Sequence, residues 1–232
     1  MWAVTDCPWR VGMKIERITI VSSPRFSEIY RMPIPDQSLK LLKDHLFRKI
    51  SLTQSEFEFL VGLLKIKNLK KDECLIRPGD ICKYESFVTR GCLKSFYEDD
   101  RGTVHVVDFC IEGWWADDLF SFFTQSPSKS TIMAIEPSEV LQISFRDLEL
   151  LYEKVPKFER FFRLLYQRAF IAQREQINMM LSATAEERYR IFLQKKPYAE
   201  ERFSQQDIAS YLGITPQFLS AMKKKLRAVK VD

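Results

Sequence analysis

The chain has 232 residues, 46% hydrophobic, 13% aromatic and 29% charged, with only 7 glycines. Those values exclude a disordered tail, a collagen-like repeat and a disulfide miniprotein, and allow one long or two short core-forming domains. Lysine and arginine (36) outnumber aspartate and glutamate (31), which makes an anionic partner worth seeking, and the longest apolar run, Phe59 to Leu64, is far short of the roughly 20 residues that cross a bilayer.

Residues 1–36 read as a leader. Asp6, Arg10 and Lys14 interrupt every candidate signal-peptide core, so a cytoplasmic location with no membrane partner is expected. With Pro8 and Pro24 and no long periodic stretch, the leader is either a flexible arm or an untranslated upstream extension, Met32 being the start. The cysteines Cys7, Cys74, Cys82, Cys92 and Cys110 are odd in number and contain no CxxC pair, the pattern of reduced thiols rather than of a metal site.

Between Gln37 and Leu64 apolar residues recur at helical spacing, which predicts two short helices with Ser51 and Thr53 as caps between them. The texture then changes to short strand-like runs bounded by turn residues: Cys74 to Ile76, Ser86 to Thr89, Cys92 to Tyr97, Val104 to Ile111, Ser130 to Ile135 and Glu139 to Ile143. Strands at this spacing predict an antiparallel sandwich or barrel, spanning residues 37–153, rather than βαβ units.

From Pro156 to Leu181 no further proline and no glycine occurs, and Phe158, Phe162, Leu165, Ala169 and Ala172 follow a 4-3-4-3 rhythm. A second stripe of Phe161, Leu164 and Tyr166 exceeds what one surface helix buries on its own domain, so residues 154–182 are expected to form a dimer seam along the first stripe. The alternative is a long core helix with both stripes buried in one chain.

Residues 183–232 carry the strongest local signal, SQQDIASYLGITPQFLSAMKKKLR from Ser204 to Arg227. Ser204 and Asp207 resemble a capping box opening a short helix, and Gly213 suits the left-handed end of that helix. Thr215-Pro216 then provides an N-cap with proline at the first helical position. Leu219, Met222 and Leu226 point inward at i, i+3 and i+7, turning Gln217, Ser220, Ala221, Lys223 and Lys224 toward solvent. Two helices on a short turn, with small Ala209 where they approach, describe a helix-turn-helix whose second helix fits the DNA major groove. There Gln217 can present an amide to adenine and Ser220 a hydroxyl to base edges. Ten basic and six acidic residues from Ala183 onward place +4 of the net +5 charge in this segment. The residues assigned to DNA are Ser204, Gln205, Thr215, Gln217, Ser220, Ala221, Lys223, Lys224 and Arg227.

With its β-barrel, long helix and terminal motif in this order, the sequence resembles the Crp/Fnr superfamily of bacterial transcription regulators over roughly Gln37 to Arg227. The segment EVLQISFRDLELLYEKVPKFERFFRLLYQRA resembles the last barrel strand running into the dimerisation helix, and SYLGITPQFLSAMKKKL resembles the reading-helix segment of one branch. That branch commonly has TPETLSRIRKKL, so Gln217 stands for a glutamate and Ala221 for an arginine, and its operator does not carry over. The resemblance implies an α+β fold: an N-terminal antiparallel β-roll of jelly-roll type with flanking helices, a long dimerisation helix, and a C-terminal winged helix-turn-helix. It also implies a homodimer on duplex DNA, with RNA polymerase as a further partner if the protein activates. Members that bind cyclic AMP hold its phosphate with a helix N-terminus and an arginine. Here Ala116-Asp117 and Ser128-Lys129-Ser130 occupy those motifs, which leaves Asp117, Lys129 and Ser130 as effector candidates without a guanidinium fork. Cyclic AMP is therefore not the expected effector, and no cofactor is expected to be required.

Two other classes are weighed. A cupin-like metal enzyme needs two or three converging histidines plus a carboxylate, whereas this chain has only His45 and His105. A regulatory module acting through protein contacts without DNA differs from the main reading in its weak dependence on salt.

Overall fold

The computed structural model describes residues 33–228; the leader through Met32, with Cys7, lies outside the described residues. Helix α1 (Asp36–Phe47) buries Leu42 and Leu46, and α2 (Gln54–Leu63) opens with a full capping box between Thr53 and Glu56. Seven strands follow: β1 (Lys65–Leu69), β2 (Cys74–Ile76), β3 (Tyr84–Arg90), β4 (Leu93–Glu98), β5 (Val104–Cys110), β6 (Thr131–Ala134) and β7 (Ser138–Ser144). They pair antiparallel in two sheets, of order β1-β7-β3 and β2-β6-β4-β5. All six expected strand runs are present. β1 was not foreseen, because KIKNL alternates lysines and follows α2 without a turn residue.

Gly91 makes the tight β3–β4 turn at φ 84°, and a Cβ there would lie 2.7 Å from the Pro137 carbonyl oxygen and the Ser138 Cα. Only glycine fits. Helix α3 (Leu119–Thr124) is inserted between β5 and β6, and α4 (Phe145–Lys154) starts directly from β7 on the Ser144 cap. Helix α5 (Lys157–Ser182) is the expected long helix.

Of the dimer seam expected along Phe158, Phe162, Leu165, Ala169 and Ala172, burial corrects the first two residues. Phe158 is 0% and Phe162 2% exposed, both locked with Phe161 into the core of their own chain, and Leu165 packs against that core. These two phenylalanines meet α4 and the roll, where burying a phenylalanine is worth roughly 1.5–3 kcal/mol, so they are not available to a partner. The apolar side chains that α5 leaves exposed are Phe170 at 64%, Ile171, Ile177, Met180 and Leu181 at 82%. Ala172 is exposed and Ala169 half-buried.

Four helices follow among the described residues: α6 (Ala185–Lys195), α7 (Ala199–Arg202), α8 (Gln205–Tyr211) and α9 (Pro216–Ala228). The described residues from 183 onward hold no strand, so the wing expected from the resemblance is not among them. This terminal unit packs on the β-roll through a second core, which joins Cys92, Val106 and Phe109 of the roll to Phe192, Phe203, Ile208 and Leu212. Phe109 stacks on Phe203 with ring centroids 3.9 Å apart.

Candidate nucleic-acid interface

Helix α8 is capped by Ser204, whose Oγ accepts from the Asp207 backbone N–H at 3.0 Å and donates to Asp207 Oδ2 at 2.7 Å. Its inner face, Ile208, Ala209 and Leu212, is buried. Gly213 adopts φ 65°, and the Ile214 N–H closes the turn on the Ala209 carbonyl at 3.0 Å. Thr215 caps α9, accepting from the Phe218 N–H at 3.2 Å. Leu219 and Met222 are buried beneath α9. Both caps, the turn and the inward spacing agree with the sequence reading.

The consequence is a polar, exposed face on α9. Gln217, Ser220, Ala221 and Lys224 are all exposed and stand at i, i+3, i+4 and i+7, one line along the helix. No hydrogen bond or ion pair among the described residues engages the side chains of Gln217, Ser220 or Lys224, so their polar groups are free for a groove. Ser204 and Gln205 are exposed at the start of α8, although the Ser204 hydroxyl is occupied by its cap. Thr215 is exposed and likewise occupied.

Lys223 departs from expectation. Its ammonium pairs with Glu200, which also accepts from Tyr189 Oη at 2.7 Å, so this lysine braces α9 against α7 instead of facing a groove. Arg227 lies on α9, but its side chain is outside the described residues.

The opposite side of α8 grips the roll. The Ser210 hydroxyl accepts from the Val106 N–H at 2.9 Å and donates to the Val104 carbonyl at 2.6 Å, satisfying the free edge of β5. Lys94 on β4 pairs with Asp207 at 2.6 Å. Arg202 forks onto Glu112 at 2.9 and 3.1 Å and also pairs with Glu136; its hydrogen bonds to Glu112 raise its pKa further. Lys196 reaches Asp108 and the Phe109 carbonyl beneath the Trp114 ring.

The effector candidates do not converge. Lys129 is exposed, and Ser128 beside it donates to Asp118 Oδ2 at 2.6 Å, which anchors the 128–130 loop to the start of α3. Ser130 is held by Ser128 through its backbone N–H. Asp117 turns inward to Glu85, a fully buried residue on β3 that the sequence reading missed. Its signal was the strand register: Glu85 stands two residues before inward-facing Phe87. Two acidic groups at this position do not suit a phosphate, and six-residue α3 offers too short a helix to hold one.

Cys82 and Cys92 are buried thiols whose pKa burial pushes up to about 12, and Cys110 is raised as well. They are inert at neutral pH. No cluster of potential metal ligands occurs among the described residues, and no described helix is long and apolar enough to cross a membrane.

Residues 66–155 match the cyclic nucleotide-binding domain family. The chain is 26% identical over 195 residues to the anaerobic regulatory protein of Haemophilus influenzae, covering 78% of this chain and 74% of that protein. It is 27% identical over 183 residues to the transcriptional activator protein anr of Pseudomonas aeruginosa, covering 74% of each. Among solved structures, FixK2 from Bradyrhizobium japonicum superposes with a TM-score of 0.62 at 18% identity, over 72% of this chain and 86% of that one. The c-di-GMP responsive global regulator CLP of Xanthomonas campestris gives 0.61 at 16%, over 77% and 93%. A nucleotide-binding-type roll, regulatory relatives along three quarters of the chain, and a shared architecture make this protein similar to transcription regulators of the Crp/Fnr type.

Proposed function

We propose that the protein acts as a homodimer on a roughly palindromic operator, each α9 entering a major groove one helical turn from its mate. The observation that carries this reading is the free face of Gln217, Ser220, Ala221 and Lys224, held outward by a capped helix-turn-helix. Gln217 and Ser220 read bases, Lys224 and Arg227 meet phosphates, and Ser204, Gln205 and Thr215 border the backbone through the helix starts. Residues 37–153 form the sensor, 154–182 the dimerisation helix and 183–232 the reader, in a cytoplasmic protein that meets RNA polymerase if it activates. The seam consists of Phe170, Ile177 and Leu181, which lie within about 20° of one line on an α-helix.

Cyclic AMP does not control this protein: an exposed Lys129 stands where the resemblance implies a phosphate-binding arginine, and Asp117 is turned inward beside Glu85. A selection from random duplexes at low salt, repeated with cyclic AMP, tests both statements. Enrichment of a palindrome whose affinity falls with a log–log salt slope of about −0.9 per phosphate contact supports DNA reading. Failure to enrich any duplex overturns it, and a shift with cyclic AMP overturns the second statement.

A further inference from the structure

The long helix is fastened to the β-roll at a carboxyl pair. Tyr166 on α5 donates from Oη to Glu85 Oε1 at 2.8 Å, tying the helix to β3. Glu85 is 0% exposed, and its second oxygen, Oε2, has no hydrogen-bond partner. Beside it stands the Asp117 carboxyl from the loop leading into α3. Two carboxylates cannot hydrogen-bond each other, because both only accept. One proton between them turns the orphaned oxygen into a partner and removes the repulsion. We infer that Glu85 and Asp117 form a proton-binding site that latches α5 onto the roll, closed when the pair holds a proton and loosened when it loses one.

The Tyr166 hydroxyl favours the charged form of Glu85, and the other surroundings offer no compensation. The β7 residue paired with Glu85 is Ile143. Tyr152 from α4 and Tyr166 from α5 are neutral phenols whose pKa values burial pushes up, and Asp118 and the Cys82 thiol complete the ring of titratable groups. None of these is a cation, and no ion pair among the described residues involves Glu85 or Asp117. Burial first, then the neighbouring Asp117, raises the Glu85 pKa well above the ordinary 4.5. A raised carboxyl keeps its full stabilising effect below the ordinary value and loses it progressively as pH rises to the folded-state value. Opening the latch in that window releases a proton, so the opening constant grows about tenfold per pH unit.

Amide exchange along residues 160–170 of the full-length protein, corrected for the intrinsic pH dependence, reads this directly and needs no DNA. Between pH 5 and 9 wild-type opening should climb with that slope until the pair's own pKa is passed, and the same series in His45→Gln removes the histidine's contribution. Glu85→Gln supplies a permanent donor to Asp117 while still accepting from Tyr166, so its α5 should stay protected with no slope. Asp117→Asn should behave alike, which guards against one variant failing to fold. Tyr166→Phe should raise exchange at every pH. A flat wild-type profile overturns the latch, as does a wild-type slope persisting in both amide variants.

Discussion

His45 shows how one residue's surroundings fix its charge. Burial first, then Lys49, Arg48 and Arg168, lowers its pKa to about 4 from an ordinary 6.5, while Trp115 Nε1 donates to its Nε2 at 3.4 Å. The unfolded chain takes up a proton below pH 6.5 and the folded one resists until about 4. Stability therefore falls as pH drops through that window. The expected loss is on the order of 1–2 kcal/mol after discounting for solvent screening. Urea unfolding at pH 7 and pH 4.5 measures it, and an undiminished loss in His45→Gln would rule out this origin. On α9 the same attention to partners divides the polar residues. Gln217→Ala should cost roughly 1–3 kcal/mol on the selected operator and relax one base position per half-site. Lys224→Ala should instead weaken all duplexes alike and reduce the salt slope by about one. Lys223→Ala, whose charge Glu200 already neutralises, should leave that slope closer to wild type. Quantitative binding at several salt concentrations separates the three. Reading the sequence placed Lys223 beside Lys224 because helical spacing gives a direction, not a partner. Glu200 lies 23 residues away, beyond any local pattern.

At the scale of the element, α5 carries two packing tasks that one periodic pattern does not distinguish. Phe158, Phe161 and Phe162 enter the protomer's core, whereas Phe170, Ile177 and Leu181 remain exposed two turns and more further on. Both groups repeat at helical spacing, so the pattern established the helix and its apolar excess but not which stripe the roll covers. That depends on α1, α4 and Trp115, brought against the first half of the helix by the chain's path. Introducing a charge separates the two roles. Phe162→Asp should unfold the protomer, since an unpaired charge in a dry core exceeds most of a domain's net stability. Phe170→Asp paired with Leu181→Asp should leave the melting temperature of the roll nearly unchanged and shift the molecule to a monomer in sedimentation. A dimer that survives the double change places the seam elsewhere. Elements shorter than a helical or strand period fared differently. β1, with alternating lysines, and six-residue α3 lack enough repeats for periodicity to show, while the capped motif of α8 and α9 was legible almost completely, because its signals are local.

At the scale of the whole molecule, the terminal unit and the roll share a core, and a small set of polar contacts frames it. Phe109 stacked on Phe203 supplies the apolar centre, while Ser210 on the β5 edge, Lys94 with Asp207, and Arg202 with Glu112 and Glu136 surround it. None of this was legible in the sequence, since each pair joins residues 66 to 113 positions apart. Such a joint makes the orientation of the terminal unit depend on the roll: moving β4 or β5 would drag α8, and α9 would follow through the turn at Gly213. Its strength is set by Arg202, the one cation contacting two acids of the roll among the described residues. Arg202→Ala leaves Glu112 and Glu136 facing each other without a cation, at an expected cost of about 1–2 kcal/mol given their partial exposure. Combined with Lys94→Ala, it should uncouple the two units, so that calorimetry resolves two transitions where the wild type gives one. The reading face of α9 is untouched by either change, so operator affinity measured alongside tells whether docking holds the reader back or in place. A rise means that the docked orientation opposes binding, a fall means that it presents α9 to the groove, and a single calorimetric transition in the double variant would show that the apolar core alone holds the units together.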